Sequence, residues 1–188
     1  MTPQVTTQLT LPPFFTIGHS NRPLAEFLSM LADARVRNVA DVRRLPGSRA
    51  FPAYDGEALR EALGAAGIGY AHCPALGGRR SKQGAERDPR NGWWENTSFH
   101  NYADYALGRE FQQALGQLIG RGQAGGPIAI MCAEAVWWRC HRRIISDYLL
   151  DRGCRVVHLM GSGHHEEAHP TRGAVSASGG RLIYPPQT

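Results

Sequence analysis

Short apolar runs alternate along this chain with stretches of helical periodicity, and that alternation restricts the fold more than any other feature. "FFTIG" reads as a strand stopped at Gly18. Pro23 suits a first helical turn, after which Phe27, Leu28, Leu31 and Ala34 recur on one helix face. "VRNVADVR" predicts a second strand. Asp55 is placed to cap a helix whose inward face is Leu59, Ala62, Leu63 and Ala66, with Gly67 just past its end. "IGYAHC" predicts a third strand. Tyr102 and Ala106, then Phe111, Leu115, Leu118 and Ile119 after a break at Gly108, predict two short helices or one kinked helix. "IAIMC" is a fourth strand and "RVVHLM" a fifth; between them, Cys140 to Asp151 carries an amphipathic helix through Ile144, Ile145, Tyr148 and Leu149. Nearly continuous apolar strands separated by helices predict a Rossmann-like, three-layer α/β fold, with helices on both faces of a mostly parallel sheet.

At 188 residues the chain suits one domain with a full core. Residues 1–13, with three prolines and no period, read as a flexible arm; 14–170 as the α/β domain; 171–188 as a tail whose "RLIYP" either adds an edge strand or packs on the surface. Residues 74–97 have no apolar period and read as a long loop, and "HHEEAH" at 164–169 as a solvated turn. No apolar run is long enough to span a membrane and the first residues lack a signal-peptide pattern, so a cytoplasmic protein is expected. Four cysteines are too few for a disulfide scaffold and are expected as thiols. A net charge of +5 and a pI near 9.3 favour an anionic partner, a small phosphorylated molecule or a nucleic acid. Nothing in the sequence sets the oligomeric state.

Right-handed crossovers bring the carboxyl ends of parallel strands to one edge of the sheet, where open α/β domains place ligands. The exits here carry Gly18-His19-Ser20, Asp41-Val42-Arg43, His72-Cys73, Cys132-Ala133-Glu134 and His158. Their interiors are apolar, so acids, bases and thiols gathered at the exits predict a site. In "CAEAVWWRCHR" Cys132 leaves a strand and Cys140-His141-Arg142 opens a helix, whose start favours negative charge and, with Arg142 nearby, thiolate. The candidate catalytic residues are therefore Cys132, Glu134, Cys140, His141 and His19. The candidate substrate contacts are Arg43, Asp41, Ser20, Ser48, Arg79, Arg142 and Trp137. Each cysteine also fits as a small buried apolar residue, and Asp41 with Arg43 as a structural ion pair. The strand, cysteine loop and helix share the architecture of cysteine phosphatases and rhodaneses, but six residues separate Cys132 from Arg139, which fits neither loop length. Paired-ligand spacing of a structural zinc site is absent, so no metal is expected and no cofactor is required. All four tryptophans come as adjacent loop pairs, Trp93-Trp94 and Trp137-Trp138, suited either to stacking on bases or to folding back onto the domain.

From Thr16 to His169 the chain resembles the bacterial family called domain of unknown function 488. The resemblance runs in order through "TIGHS", "DVR", "LPGSRAFPAY", "YAHCPALGGRR", "YADY", "CAEAVWWRCHR", "VVHL" and "HP". It implies an α/β domain and a signature formed by Cys132, Glu134, Cys140, His141 and Arg142, and it supplies no activity. Two functions fit these residues. One is a cysteine-dependent hydrolase or transferase acting on a phosphorylated or nucleic-acid-derived anion; the other is a non-catalytic nucleotide or nucleic-acid binding module.

Overall fold

A computed structural model describes residues 12–84 and 86–187; all but two residues of the expected arm lie outside them. The main elements are β1 (Phe14–Gly18), α1 (Leu24–Asp33), β2 (Asn38–Asp41), α2 (Gly56–Ala65), β3 (Gly69–His72), α3 (Thr97–Ala106), α4 (Arg109–Gly125), β4 (Ile128–Cys132), α5 (Arg142–Asp151), β5 (Val156–Gly161), β6 (His164–Glu167), β7 (Val175–Ala177) and β8 (Arg181–Ile183). Strands β1 to β6 form one sheet in the order β3-β2-β4-β1-β5-β6, parallel except for β6. This is the expected three-layer α/β fold. No described helix is long and apolar enough to cross a membrane.

The layers follow from strand parity. Phe15, Ile17, Val39, Ala129, Met131, Val157 and Leu159 pack against Phe27, Met30 and Leu31 of α1 and Leu59 and Leu63 of α2. Their neighbours Phe14, Ala40, Ile128, Ile130 and Val156 face Tyr102, Phe111, Leu115, Ile145 and Tyr148 of α3, α4 and α5. From β1 the chain crosses β4 to reach β2, whereas from β4 it crosses β1 to reach β5. The two crossovers run in opposite directions, and right-handedness sends them to opposite faces. The topological switch therefore falls between the carboxyl ends of β1 and β4.

The structure revises several expectations. The second strand stops at Asp41, leaving Val42 and Arg43 beyond it, and α5 begins at Arg142, so Cys140 and His141 precede the helix. "HHEE" is an exposed antiparallel edge strand, not a turn; its backbone pairs with β5 although no side chain is buried. The tail adds no edge to the main sheet: β7 and β8 pair with each other, and Leu182 and Tyr184 are buried in the core beside α5.

Asp147 of α5 anchors that tail. Its Oδ1 accepts from the Thr171 N–H at 2.7 Å and its Oδ2 from the Tyr184 hydroxyl at 3.0 Å. Burial raises the carboxyl to about 6, against the pull of these donors. A carboxyl raised above its unfolded value favours folding most when protonated, so its contribution is full below about pH 4 and is lost as pH rises through about 6. Asp147→Asn is expected to remove that loss. Denaturant unfolding from pH 4 to 7 should show the variant gaining on the wild type by up to about 3 kcal/mol as pH rises; parallel stability curves would contradict this.

Candidate functional site

The exits of β1 to β4 share one edge, whereas His158 lies within β5 opposite Thr16 of β1; the exit side chains divide between the two faces of the sheet. On the α1–α2 face, Asp41 is fully buried and receives Arg43 through Nε at 2.9 Å and Nη2 at 2.6 Å, and the Tyr70 hydroxyl at 2.8 Å. Arg43 spends its remaining Nη1 on the Tyr54 carbonyl at 2.7 Å and on His19 Nε2 at 3.4 Å. Both charges are buried, and each is matched by the other and by further hydrogen bonds, the condition under which a buried pair is tolerated. Burial, and then hydrogen bonding to the Asp41 carboxylate, pushes the Tyr70 hydroxyl up. His19 stacks on Tyr54 with ring centroids 4.3 Å apart. Its Nδ1–H donates to the Ser20 carbonyl at 2.9 Å, so Nε2 is the acceptor from Arg43; burial lowers its affinity for a proton. In this cluster the hydrogen-bonding groups of Arg43 and His19 point inward.

The second cluster lies on the α5 face. Cys132 ends β4, and Cys140 and His141 precede α5; one ligand-capable atom from each lies within 4.8 Å of the others. The Val42 carbonyl can only accept, so His141 Nε2–H donates to it at 3.3 Å, leaving Nδ1 3.5 Å from Cys140 Sγ. Arg142 is 1% exposed and is the largest fully buried side chain. Its Nε donates to Cys140 Sγ at 3.3 Å and its Nη2 to the Glu134 carbonyl. None of the ion pairs among the described residues involves Arg142. A buried guanidinium without a carboxylate needs another anion, and the sulfur on its Nε is the one at hand. Burial opposes ionisation of Cys140 most strongly, yet the Cys132 S–H, His141 and Arg142 together hold its pKa well below that of a free thiol. Cys132 moves the other way, chiefly because it donates to Cys140 and then because it is buried. Of the two sulfurs, Cys140 is therefore the one favoured to ionise.

Backbone bonds tie the clusters together. His19 N–H donates to the Cys132 carbonyl at 3.0 Å and Ser20 N–H to that of Ala133 at 2.9 Å. Val42, held between Asp41 and Arg43, carries the carbonyl that orients His141. Asp41, Arg43 and His19 therefore reach the thiol cluster through backbone contacts, not with their side chains. Two glycines permit the close approach. A Cβ on Gly18 would lie 1.9 Å from the Glu134 carbonyl oxygen, and one on Gly78 would lie 2.6 Å from His141 Nδ1.

The other predicted residues stand further out. The Glu134 side chain is exposed, and its carbonyl, not its carboxylate, meets Arg142. Arg79 is exposed next to Gly78, and its carbonyl accepts from the exposed Arg44. Ser48 closes a local turn with Phe51 N–H, and the Ser20 hydroxyl donates to neighbouring Asn21 Oδ1. Trp137 stacks on buried His158 at 4.3 Å, and His158 bonds to Thr16 at 2.7 Å; burial and then Arg142 lower His158 to about 4. Trp93 and Trp94 fold back under Arg143 and against Tyr184, so that pair serves the core. Cys73 and Cys154 are raised by burial. Two surface clefts, one beside Arg87 and Arg109, the other beside Arg35 and Arg155, lie away from the thiols. Gly78, Tyr70 and the Val42 carbonyl went unrecognised in the sequence; "LGGRR" beside "YAHC" was the available signal for the first.

A family model described as "Domain of unknown function DUF488" matches residues 23–149. No curated protein and no solved structure matches the chain. Gly18→Ala is expected to lower stability by about 1–3 kcal/mol through overpacking, while Gly116→Ala, on an open face of α4, raises it by up to about 1 kcal/mol. Denaturant unfolding of both tests the close approach of Gly18 to the Glu134–Ala135 backbone; an unaffected Gly18→Ala would contradict it.

Proposed function

Because the chain belongs to the DUF488 family, whose description carries no activity, its chemistry has to be read from its own side chains, and we propose that it is a cysteine-dependent hydrolase or transferase acting on a phosphorylated or nucleic-acid-derived anion. The observation that carries this reading is the buried Arg142 with Cys140 Sγ on its Nε. A thiolate placed at a strand-to-helix junction is a nucleophile, whereas a purely structural cysteine has no need of a charged partner. Cys140 Sγ attacks the electrophilic centre of the substrate and forms a covalent thio-intermediate. The leaving group takes its proton from the Cys132 thiol beside it. Water then attacks the thio-intermediate and gives its proton back to Cys132, directly or through His141 Nδ1, so that Cys140 leaves as the thiolate and the starting protonation state is restored. Exposed Arg44 and Arg79, beside Gly78 and His141, supply cationic contacts for the anion. Entry requires the segments around the buried sulfurs to part.

A second reading, a non-catalytic nucleic-acid module, draws on Trp138, which is 44% exposed next to exposed Arg139. It predicts tryptophan quenching by oligonucleotides that weakens with salt. Alkylation separates the two. In metal-free, reduced protein at neutral pH, Cys140 is expected to react with iodoacetamide about tenfold or more faster than a free thiol, with Arg142→Leu abolishing the advantage. Mass mapping of the labelled peptide checks this; uniform slow labelling of all four cysteines, with oligonucleotide quenching intact, would leave the binding module.

A further inference from the structure

The donor set of the second cluster suits a metal ion although its sequence spacing did not suggest one. We infer that Cys132 Sγ, Cys140 Sγ and His141 Nδ1 form a site for a thiophilic divalent ion of the Zn²⁺ class, with a fourth position left for an anion. In a tetrahedral zinc site with Zn–S near 2.3 Å and Zn–N near 2.1 Å, neighbouring sulfur and nitrogen ligands lie about 3.6 Å apart and two sulfurs about 3.8 Å apart. Cys140 Sγ and His141 Nδ1 are 3.5 Å apart, and all three donors lie within 4.8 Å of one another. Two sulfurs and an imidazole exclude Mg²⁺ and Ca²⁺, which take oxygen, and favour zinc.

Outer contacts agree with ligation. Metal-bound histidines donate their second N–H to a carboxylate or carbonyl, as His141 Nε2 does to Val42, which turns the Nδ1 lone pair towards the sulfurs. Arg142 Nε bonds to Cys140 Sγ, an orientation open to a ligated sulfur because a thiolate keeps further lone pairs. Gly78 lacks the Cβ that would press on Nδ1. Two thiolates neutralise Zn²⁺, so the buried Arg142 calls for one more negative charge. A hydroxide or substrate anion in the fourth position supplies it. Backbone bonds to Cys132 and Cys140 fix the sulfurs from two elements, which explains why the set assembles without the short paired spacing of a zinc knuckle.

This site shares its atoms with the proposed nucleophile but stands on ligand geometry alone. A bound ion occupies Cys140 and protects it from alkylation. The test uses the full chain, reduced and stripped of metal, titrated with Co²⁺ in the absence of oxygen. One equivalent is expected to produce thiolate-to-cobalt charge transfer and the intense visible bands of tetrahedral cobalt, both displaced by Zn²⁺. Cys132→Ser and His141→Ala should weaken binding by about tenfold or more, whereas Cys73→Ser and Cys154→Ser should leave it unchanged. Zinc protection of Cys140 in the wild type gives a readout that needs no variant. Absence of the charge-transfer band, or a band indifferent to Cys132→Ser and His141→Ala in folded protein, would overturn the site. Rapid alkylation without cobalt binding would remove the metal and keep the nucleophile; cobalt binding with slow alkylation of the metal-free protein would do the reverse.

Discussion

The contact between Arg142 and Cys140 organises this molecule. A guanidinium that is almost fully buried, with no carboxylate partner among the described residues, is costly unless an anion lies against it. Here the group against it is the Cys140 sulfur, whose ionisation burial opposes and the Cys132 thiol, Arg142 and His141 favour. Removing the charge from Cys140 strands the one on Arg142, so the loop from Glu134 to Cys140 and the opening turn of α5 depend on that pairing.

The opposite face of the sheet serves this arrangement without touching it. Asp41, Arg43, Tyr54, Tyr70 and His19 form a saturated network whose hydrogen bonds all point inward. Its output is backbone position. Val42 presents its carbonyl to His141, and the chain leaving β1 holds the carbonyls of Cys132 and Ala133. A buried ion pair by itself is weak evidence for stability; here it fixes a register at the topological switch point, where two crossovers part and the sheet can present side chains to a ligand.

Much of this was legible in the sequence, for identifiable reasons. Periodicity located α1, α2 and the break between α3 and α4 at Gly108, because their apolar faces are continuous. The strand exits were legible because polar residues interrupt apolar runs. Their division between faces was not, since it depends on the pairing of Gly18 with Cys132 and of Asp41 with Met131, which only the assembled sheet defines. The edge strand at His164–Glu167 left no apolar signal, being held by backbone alone. Tail burial follows from the tertiary contact of Tyr184 with Asp147. Arg142 was partly legible: it stands three residues before Ile145 and seven before Leu149, on the inward helical phase, although its charge suggested a ligand contact. Cys132, Cys140 and His141 do converge, while Glu134 meets them through its carbonyl.

Ultraviolet thiolate absorbance of the metal-free protein, titrated with pH in the wild type and in Cys140→Ser, tests the thiolate most directly. One thiolate is expected to persist well below the free-cysteine pKa of about 8.5 and to be missing from Cys140→Ser. Wild type and variant losing their absorbance together, at the ordinary thiol pKa, would contradict it.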